Sequence, residues 1–207
     1  ESHDCLRHLM EPTLQPGEVN GHIDGFCSCA GAITDGWQDG ATVDVLVEMR
    51  KVALLILMET LFAVDFRPDL ERLWQPILRS IEYISPGVWL VWPGAPRQGF
   101  QKDLAELDDY LFSIIRERRA ALAESGQVGG DLLSVLVAHS RQDPAMDDDL
   151  IRDQLLTMLI AGHDTSTALL AWALYLLGEH PEALAQATAE ARSVLVDGEP
   201  TPDQLKE

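Results

Sequence analysis

The fold of this chain is decided by residues 155–172, LLTMLIAGHDTSTALLAW. Apolar side chains recur at three- and four-residue steps on both sides of a polar centre, Ala161–Ser166, and this spacing predicts one long helix. A glycine in a helix interior costs about 1 kcal/mol relative to alanine, and a buried carboxylate is costly unless it is paired or protonated. Polar residues that interrupt an otherwise apolar helix therefore indicate a functional site.

The flanking residues set the limits of this helix. Asp147–Asp149 supply an N-cap and negative charge at the end where the helix dipole favours it. Met146 and Ile151 have the spacing of a hydrophobic staple across that cap, and Pro181 ends the helix and opens the next one at its first position. We therefore predict a central helix over about residues 148–179.

The remaining sequence predicts an all-α fold. Its apolar residues follow the helical period, and no stretch alternates as a half-buried strand does. An apolar content of 46% is sufficient for a hydrophobic core. The other predicted helices lie near residues 2–10, 17–37, 43–64, 68–84, 98–124, 130–140 and 182–195.

The charge and the cysteine content exclude two classes of protein. The chain carries 15 basic and 34 acidic residues, a net charge of −19, whereas nucleic-acid binding requires a basic surface, so we expect no nucleic acid partner. Three cysteines without a secretory leader argue against a disulfide scaffold. Cys27 and Cys29 lie near His22, but two closely spaced thiols favour small core residues over a metal site. No metal ligands are therefore predicted.

The polar centre combines an acid, hydroxyl groups and small residues. Thr165 follows Ala161 by four residues, so its hydroxyl can bond to the Ala161 carbonyl, and Ser166 can bond in the same way to Gly162. Gly162 also leaves room for a flat ligand against the backbone, and Asp164 beside Thr165 can relay protons. A kinked core helix with satisfied polar groups explains the same residues, and chemistry alone leaves both interpretations open.

Residues 159–166, LIAGHDTS, resemble the oxygen-activation motif of the cytochrome P-450 family, the haem-thiolate monooxygenases. In that family the acid and the following threonine deliver protons to dioxygen bound at the haem. The resemblance therefore implies catalytic roles for Asp164 and Thr165. It also implies that the small residues Ala161 and Gly162 line the haem together with Thr165.

Other segments carry the same resemblance. Residues 7–12, RHLMEP, resemble the helix whose arginine pairs with a haem propionate, which implies haem contacts for Arg7 and for His3, where the family has a tryptophan. The segments 42–66 and 179–205 resemble neighbouring parts of the family sequence in the same order. The resemblance covers nearly the whole chain and implies the helical core of the mixed, mainly α P-450 fold.

The resemblance also defines what this sequence lacks. The family's iron ligand is a cysteine in a glycine-flanked loop, and none of Cys5, Cys27 and Cys29 has that setting. We therefore expect residues 1–207 to be part of a single P-450 domain that is incomplete at both ends. Haem is the implied cofactor, with its cysteine ligand outside this sequence, and the chain by itself is expected to be inactive.

The resemblance further implies a substrate pocket. Met158, Ala161 and Leu169 would line it. The apolar loop at residues 85–94 would connect the two helices that roof it and form its entrance, although that loop also suits a satellite core. His163, at the variable position of the motif, would point away from the haem. An apolar entrance and an apolar wall indicate an apolar substrate.

The implied activity is that of an oxidoreductase. One oxygen atom of O₂ would be inserted into an apolar small molecule, with electrons from NAD(P)H delivered by a ferredoxin or a flavoprotein reductase. The motif is most similar to those of soluble bacterial members, so we expect a cytoplasmic location, with a membrane anchor ahead of the sequence as the alternative.

Two other functions would explain some of the same residues. Asp148, Asp149 and Asp153 resemble a relaxed aspartate-rich motif that holds magnesium and diphosphate in all-helical isoprenoid enzymes, although Arg152 lies among them. A non-catalytic helical module that binds a small ligand would explain a pocket without a ligating cysteine. Magnesium-dependent diphosphate binding would favour the first alternative. Ligand binding by a protein whose gene encodes no cysteine loop would favour the second.

Overall fold

The structure is a computed structural model, and it describes residues 2–15, 17, 20–84, 99–195, 200, 201, 203 and 204. For residues 2–5 and 84 it describes the backbone alone. The apolar loop at 85–94 lies outside these ranges, as do residues 196–199 and 205–207. Within the described ranges the chain is helical and contains no strand, which confirms the all-α prediction.

The elements whose bounds the structure gives are eight α-helices and one short 3₁₀ turn, Glu11–Leu14. The helices are α1 Ser2–Met10, α2 Ile23–Thr34, α3 Val45–Phe62, α4 Leu70–Ile84, α5 Gln101–Ser125, α6 Leu132–His139, α7 Asp148–Glu179 and α8 Pro181–Val194. The central helix α7 has the predicted bounds. The prediction of one helix over 17–37 was wrong, because a turn at Gly21 and His22 precedes α2 and a second turn follows it at Asp35 and Gly36.

The chain divides into two compact units, of which the first comprises Glu1–Val64 and Ala161–Glu207. It contains α1, α2, α3, α8 and the later part of α7, and α2 packs against α3. Burying one large apolar side chain stabilises the fold by about 1.5–3 kcal/mol, and α3 supplies several of them. Its fully or nearly fully buried side chains include Met49, Leu54, Leu55, Met58 and Phe62.

The second unit, Asp65–Ile160, contains α4, α5, α6 and the first part of α7. Within it α4 packs against α5, and α5 packs against α6. Its buried side chains include Leu73, Ile77, Leu111, Ile115 and Leu133, none of which is more than 1% exposed. This unit carries the beginning of the central helix.

The start of α7 follows the capping signals in the sequence. The Asp147 side chain accepts a hydrogen bond from the Leu150 backbone N–H at 2.9 Å, as an N-cap residue does. Met146 and Ile151 on either side of the cap are both buried, as expected of a hydrophobic staple. At the other end Pro181 is the first residue of α8. None of the described helices is both long and apolar enough to span a bilayer.

The C-terminus of α3 contains a local strain. Ala63 ends the helix in the left-handed conformation, with φ 48° and ψ 49°, and its N–H donates to the Glu59 carbonyl at 3.0 Å. A residue with a Cβ pays about 1–2 kcal/mol for this conformation, which glycine adopts freely. Ala63 is exposed, so its methyl group adds little packing.

We therefore expect Ala63→Gly to stabilise the protein by about 1 kcal/mol in thermal or denaturant unfolding. Ala120→Gly is the matched control, since Ala120 is exposed in the interior of α5. The control should lose about 1 kcal/mol because glycine disfavours a helix interior. Equal destabilisation by both changes would show that Ala63 is not strained.

Candidate active site

The polar centre of α7 presents one exposed face. Ala161, Thr165 and Leu169 recur at four-residue intervals, so they share a face of the helix, and all three are exposed. Leu169 is 72% exposed, a large value for a leucine. Asp164 lies at the edge of the same face, and its side chain is 47% exposed. The structure thus brings together an acid, a hydroxyl group and two apolar side chains from the predicted site.

The Thr165 hydroxyl bonds to its own helix. Its Oγ1 donates to the Ala161 carbonyl at 3.0 Å, as the sequence predicted. In the described part of the chain Ser166 makes no such bond to Gly162, so that prediction was wrong. A hydroxyl has one proton and two lone pairs. Thr165 can therefore accept a hydrogen bond from a pocket group as it stands, or donate one after its O–H turns away from Ala161.

Gly162 packs closely against α3. A Cβ built on Gly162 would lie 2.7 Å from Cδ2 of Leu57, closer than two carbon atoms can approach without a shift. A side chain at Gly162 would therefore have to displace the end of the Leu57 side chain within the first unit. Its predicted contact with a haem stays a prediction.

His163 lies on the buried side of α7. Its side chain is fully buried, and its Nδ1 lies 3.4 Å from Oδ1 of Asp164 without forming a hydrogen bond of good geometry. Burial lowers the pKa of His163 below its ordinary value, while the neighbouring Asp164 carboxylate partly opposes this shift. The imidazole is therefore uncharged at neutral pH.

The other predicted site residues are more dispersed. Arg7 is exposed on α1 and forms no ion pair with any residue in the described ranges. The side chain of His3 is outside the described residues. Met158 is half-buried on α7 and belongs to the second unit. The haem contacts of Arg7 and His3 and the pocket role of Met158 remain predictions.

An apolar groove continues the exposed face of α7, and sequence reasoning missed it. It has a volume of about 590 Å³, and its lining includes Val43, Leu46, Trp172 and Tyr175. The rings of Trp172 and Tyr175 stack edge to face with centroids 5.6 Å apart, yet the two side chains are 62% and 54% exposed. A three-residue spacing places two side chains on one helix face, but it does not indicate whether that face is exposed.

The cysteines within the described side chains are not placed as iron ligands. Cys29 is 2% exposed, and its thiol donates to Oε2 of Glu59 at 3.1 Å. Cys27 is half-buried on the same helix. No cluster of three potential metal-ligating side chains occurs in the described part of the chain. Small and hydroxyl-bearing residues on α7 fit one wall of a haem pocket, whereas a thiolate ligand is not among these residues.

The aspartates of the magnesium alternative are already paired. Arg152 lies 3.1 Å from Asp153, 3.4 Å from Asp108 and 3.9 Å from Asp149. A guanidinium in the centre of these carboxylates occupies the place that a divalent cation would need. The structure therefore gives no support to diphosphate chemistry at the start of α7.

The family is shown by comparison of the whole sequence. The family model for cytochrome P450 matches residues 4–207. The chain belongs to the cytochrome P450 family. It spans less than half the length of the curated relatives that it matches over most of its own sequence.

Two relatives and one solved structure illustrate the similarity. The chain is 27% identical over 219 residues to cyclooctat-9-en-7-ol 5-monooxygenase of Streptomyces melanosporofaciens, covering 99% of this chain and 46% of that protein. It is 39% identical over 112 residues to a bifunctional cytochrome P450/NADPH–P450 reductase of Bacillus subtilis, covering 52% of this chain and 10% of that protein. The crystal structure of the cytochrome P450DA heme domain matches with a TM-score of 0.78 at 29% identity, covering 96% of this chain and 45% of that chain.

Proposed function

We propose that this chain is part of a haem-dependent monooxygenase that hydroxylates an apolar organic substrate. The overall reaction converts RH, O₂, NAD(P)H and a proton into ROH, water and NAD(P)⁺. The observation that carries the proposal is the exposed face of α7, where Ala161, Asp164 and Thr165 stand together. Family membership supports the reaction class, because the relatives include a protein named as a monooxygenase.

The residues of this chain would hold the cofactor from one side. Haem, when bound, supplies the redox chemistry that activates dioxygen. The small side chain of Ala161 allows a flat group to approach the helix, and the exposed Arg7 guanidinium suits a propionate carboxylate through a charge-assisted hydrogen bond. Gly162 and His3 are further candidates for contact with the cofactor.

Thr165 and Asp164 would transfer protons to the reaction site. The Thr165 hydroxyl donates a hydrogen bond into the pocket when it releases the Ala161 carbonyl, which lies 3.0 Å from its Oγ1. The Asp164 carboxylate has access to solvent because nearly half of its side chain is exposed. It can therefore take up protons from water and pass them towards Thr165, as a general acid–base group does.

One surface of α7 indicates the substrate class, and one relative indicates the electron donor. Leu169 extends the apolar wall beside Ala161, which favours an apolar substrate, and Met158 is a further candidate for that wall. The Bacillus subtilis relative is named as a fusion with an NADPH–P450 reductase, which supports a flavoprotein reductase as the electron donor. A ferredoxin is the alternative donor.

Labelled dioxygen tests the proposed reaction. When the whole protein turns over an apolar substrate under ¹⁸O₂, with NADPH and a reductase, we expect one ¹⁸O atom in each hydroxylated product and the other in water. Mass spectrometry of the product measures this. Product oxygen that derives from water, or ligand binding without any product, would contradict a monooxygenase and favour the non-catalytic binding module.

A further inference from the structure

Buried polar side chains without hydrogen bonds converge beside the polar centre of α7. His163 is fully buried and Thr167 is 2% exposed, and the two residues share a face because they are four residues apart. Neither ring nitrogen of His163 nor the Thr167 hydroxyl has a hydrogen-bond partner within the described part of the chain. Nε of Arg50, on α3, is also buried and lacks a partner there.

These unpaired polar atoms lower the stability of the fold. A buried donor or acceptor left unsatisfied costs about 1–3 kcal/mol, and most buried polar atoms in folded proteins are paired or hydrated. A leucine would fill the place of His163 at no such cost. Two acceptors lie beside the imidazole: the Asp164 carboxylate, whose Oδ1 is 3.4 Å from Nδ1, and the Arg50 main-chain carbonyl.

The surroundings of the ring decide which nitrogen carries its proton. The groups that act on the His163 ring are the Asp164 carboxylate, the Arg50 guanidinium and the Arg50 main-chain carbonyl, which is the competing hydrogen-bond acceptor. A neutral imidazole has one N–H to donate. A carboxylate is the stronger acceptor, because charge-assisted hydrogen bonds are about twice as strong as neutral ones. The Nδ1–H tautomer is therefore the one that the Asp164 carboxylate favours, and it leaves Nε2 as an acceptor for a donor such as the Thr167 hydroxyl, Arg50 Nε–H or a water molecule.

We propose that His163 is a positioning residue for Asp164: its Nδ1–H holds the carboxylate at the edge of the exposed face of α7, next to Thr165. A carboxylate that is half exposed would otherwise rotate freely into solvent. Holding one oxygen from the buried side leaves the other oxygen directed to the exposed face. This inference rests on the proposed function, since it assigns a task to Asp164 in proton transfer.

The first test reads the tautomer of His163 directly. The whole protein is labelled with ¹⁵N-histidine, and the His163 signals are assigned by their loss in His163→Leu. We expect the Nδ1–H tautomer in the unaltered protein, and an increase of about tenfold in the Nε2–H to Nδ1–H ratio in Asp164→Asn, which removes the charged acceptor. An Nε2–H tautomer in the unaltered protein, or a ratio that Asp164→Asn leaves unchanged, would overturn the proposal.

The second test compares two replacements of His163 in the haem-loaded protein. His163→Leu fills the buried space without a donor, whereas the side-chain amide of His163→Asn puts a donor near the place of Nδ1. We expect the share of electrons lost to hydrogen peroxide to rise about threefold in His163→Leu and to return towards the original value in His163→Asn, with unchanged substrate binding. Equal coupling in both variants and the unaltered protein would overturn the positioning role.

These results separate the two proposals. The tautomer is measured without substrate or turnover, so a failed ¹⁸O₂ experiment does not alter it. If the product carries ¹⁸O but Asp164→Asn leaves the tautomer ratio unchanged, the monooxygenase proposal is supported and the proposed role of His163 is wrong.

Discussion

Gly162→Val lowers the free energy of unfolding by about 2–3 kcal/mol, the cost of forcing extra methyl groups into a packed interface. The Cβ alone would lie 2.7 Å from Cδ2 of Leu57, so either the leucine or the helix has to move. The half-buried leucine can absorb part of the strain by changing rotamer. The two further methyl groups of a β-branched valine leave Leu57 less room to change rotamer. Denaturant unfolding measures the loss.

A double-mutant cycle identifies the cause of that loss. Leu57→Ala removes the atoms that collide, so adding it to Gly162→Val should recover about 1–2 kcal/mol relative to the sum of the single changes. Gly178→Val is the matched control on the same helix, because a Cβ on Gly178 meets no atom within 4 Å. The control should leave stability nearly unchanged. Strict additivity of the two changes would show that Leu57 is not the obstacle.

The glycine of the motif therefore has a reason that the sequence did not reveal. The sequence predicted that Gly162 makes room for a flat ligand, and the structure adds that the Leu57 side chain of α3 packs beside the same residue. The packing of α3 against α7 determines which residue faces Gly162. The helical period of the sequence does not predict how two helices pack against each other. A stability defect in Gly162→Val would arise even without a haem.

The limits of α7 were predictable because local chemistry sets them. The cap at Asp147 and the proline at Pro181 act through nearby backbone atoms, and both occur in the structure as predicted. The alternation of exposed and buried residues along Ala161–Ser166 also follows from the helical period. The turn before α2 was not predicted, because the apolar residues across 17–37 keep a helical spacing that does not reveal a break at Gly21.

The tertiary relations of the site could not be predicted. The burial of His163 without good hydrogen bonds depends on α3 and its Arg50, more than 100 positions earlier in the sequence. The only local signal was the four-residue interval between His163 and Thr167, which places them on one face but does not bury them. The exposure of the groove around Trp172 could not be predicted either, because it depends on which other residues pack against that part of α7.

The proposed role of the exposed face of α7 is to supply protons for oxygen activation, and Thr165 is the residue to change. Thr165→Ala removes a hydroxyl whose bond to Ala161 lies on an exposed surface, and alanine favours a helix, so the fold should be unaffected. Without this donor, dioxygen reduced by two electrons takes up two protons and leaves as hydrogen peroxide. Thr157→Ala is the matched control, because Thr157 makes the same type of bond to the Asp153 carbonyl, at 2.7 Å, on the same helix.

The measurement is the ratio of hydrogen peroxide to hydroxylated product per NADPH consumed, in the whole haem-loaded protein. We expect Thr165→Ala to raise that ratio by about tenfold, less than the hundredfold or more that a positioned proton donor can contribute to a rate. Thr157→Ala should leave it unchanged. A ratio in Thr165→Ala equal to that of the unaltered protein would contradict the assignment of this face of α7 as the proton-delivering wall of the active site.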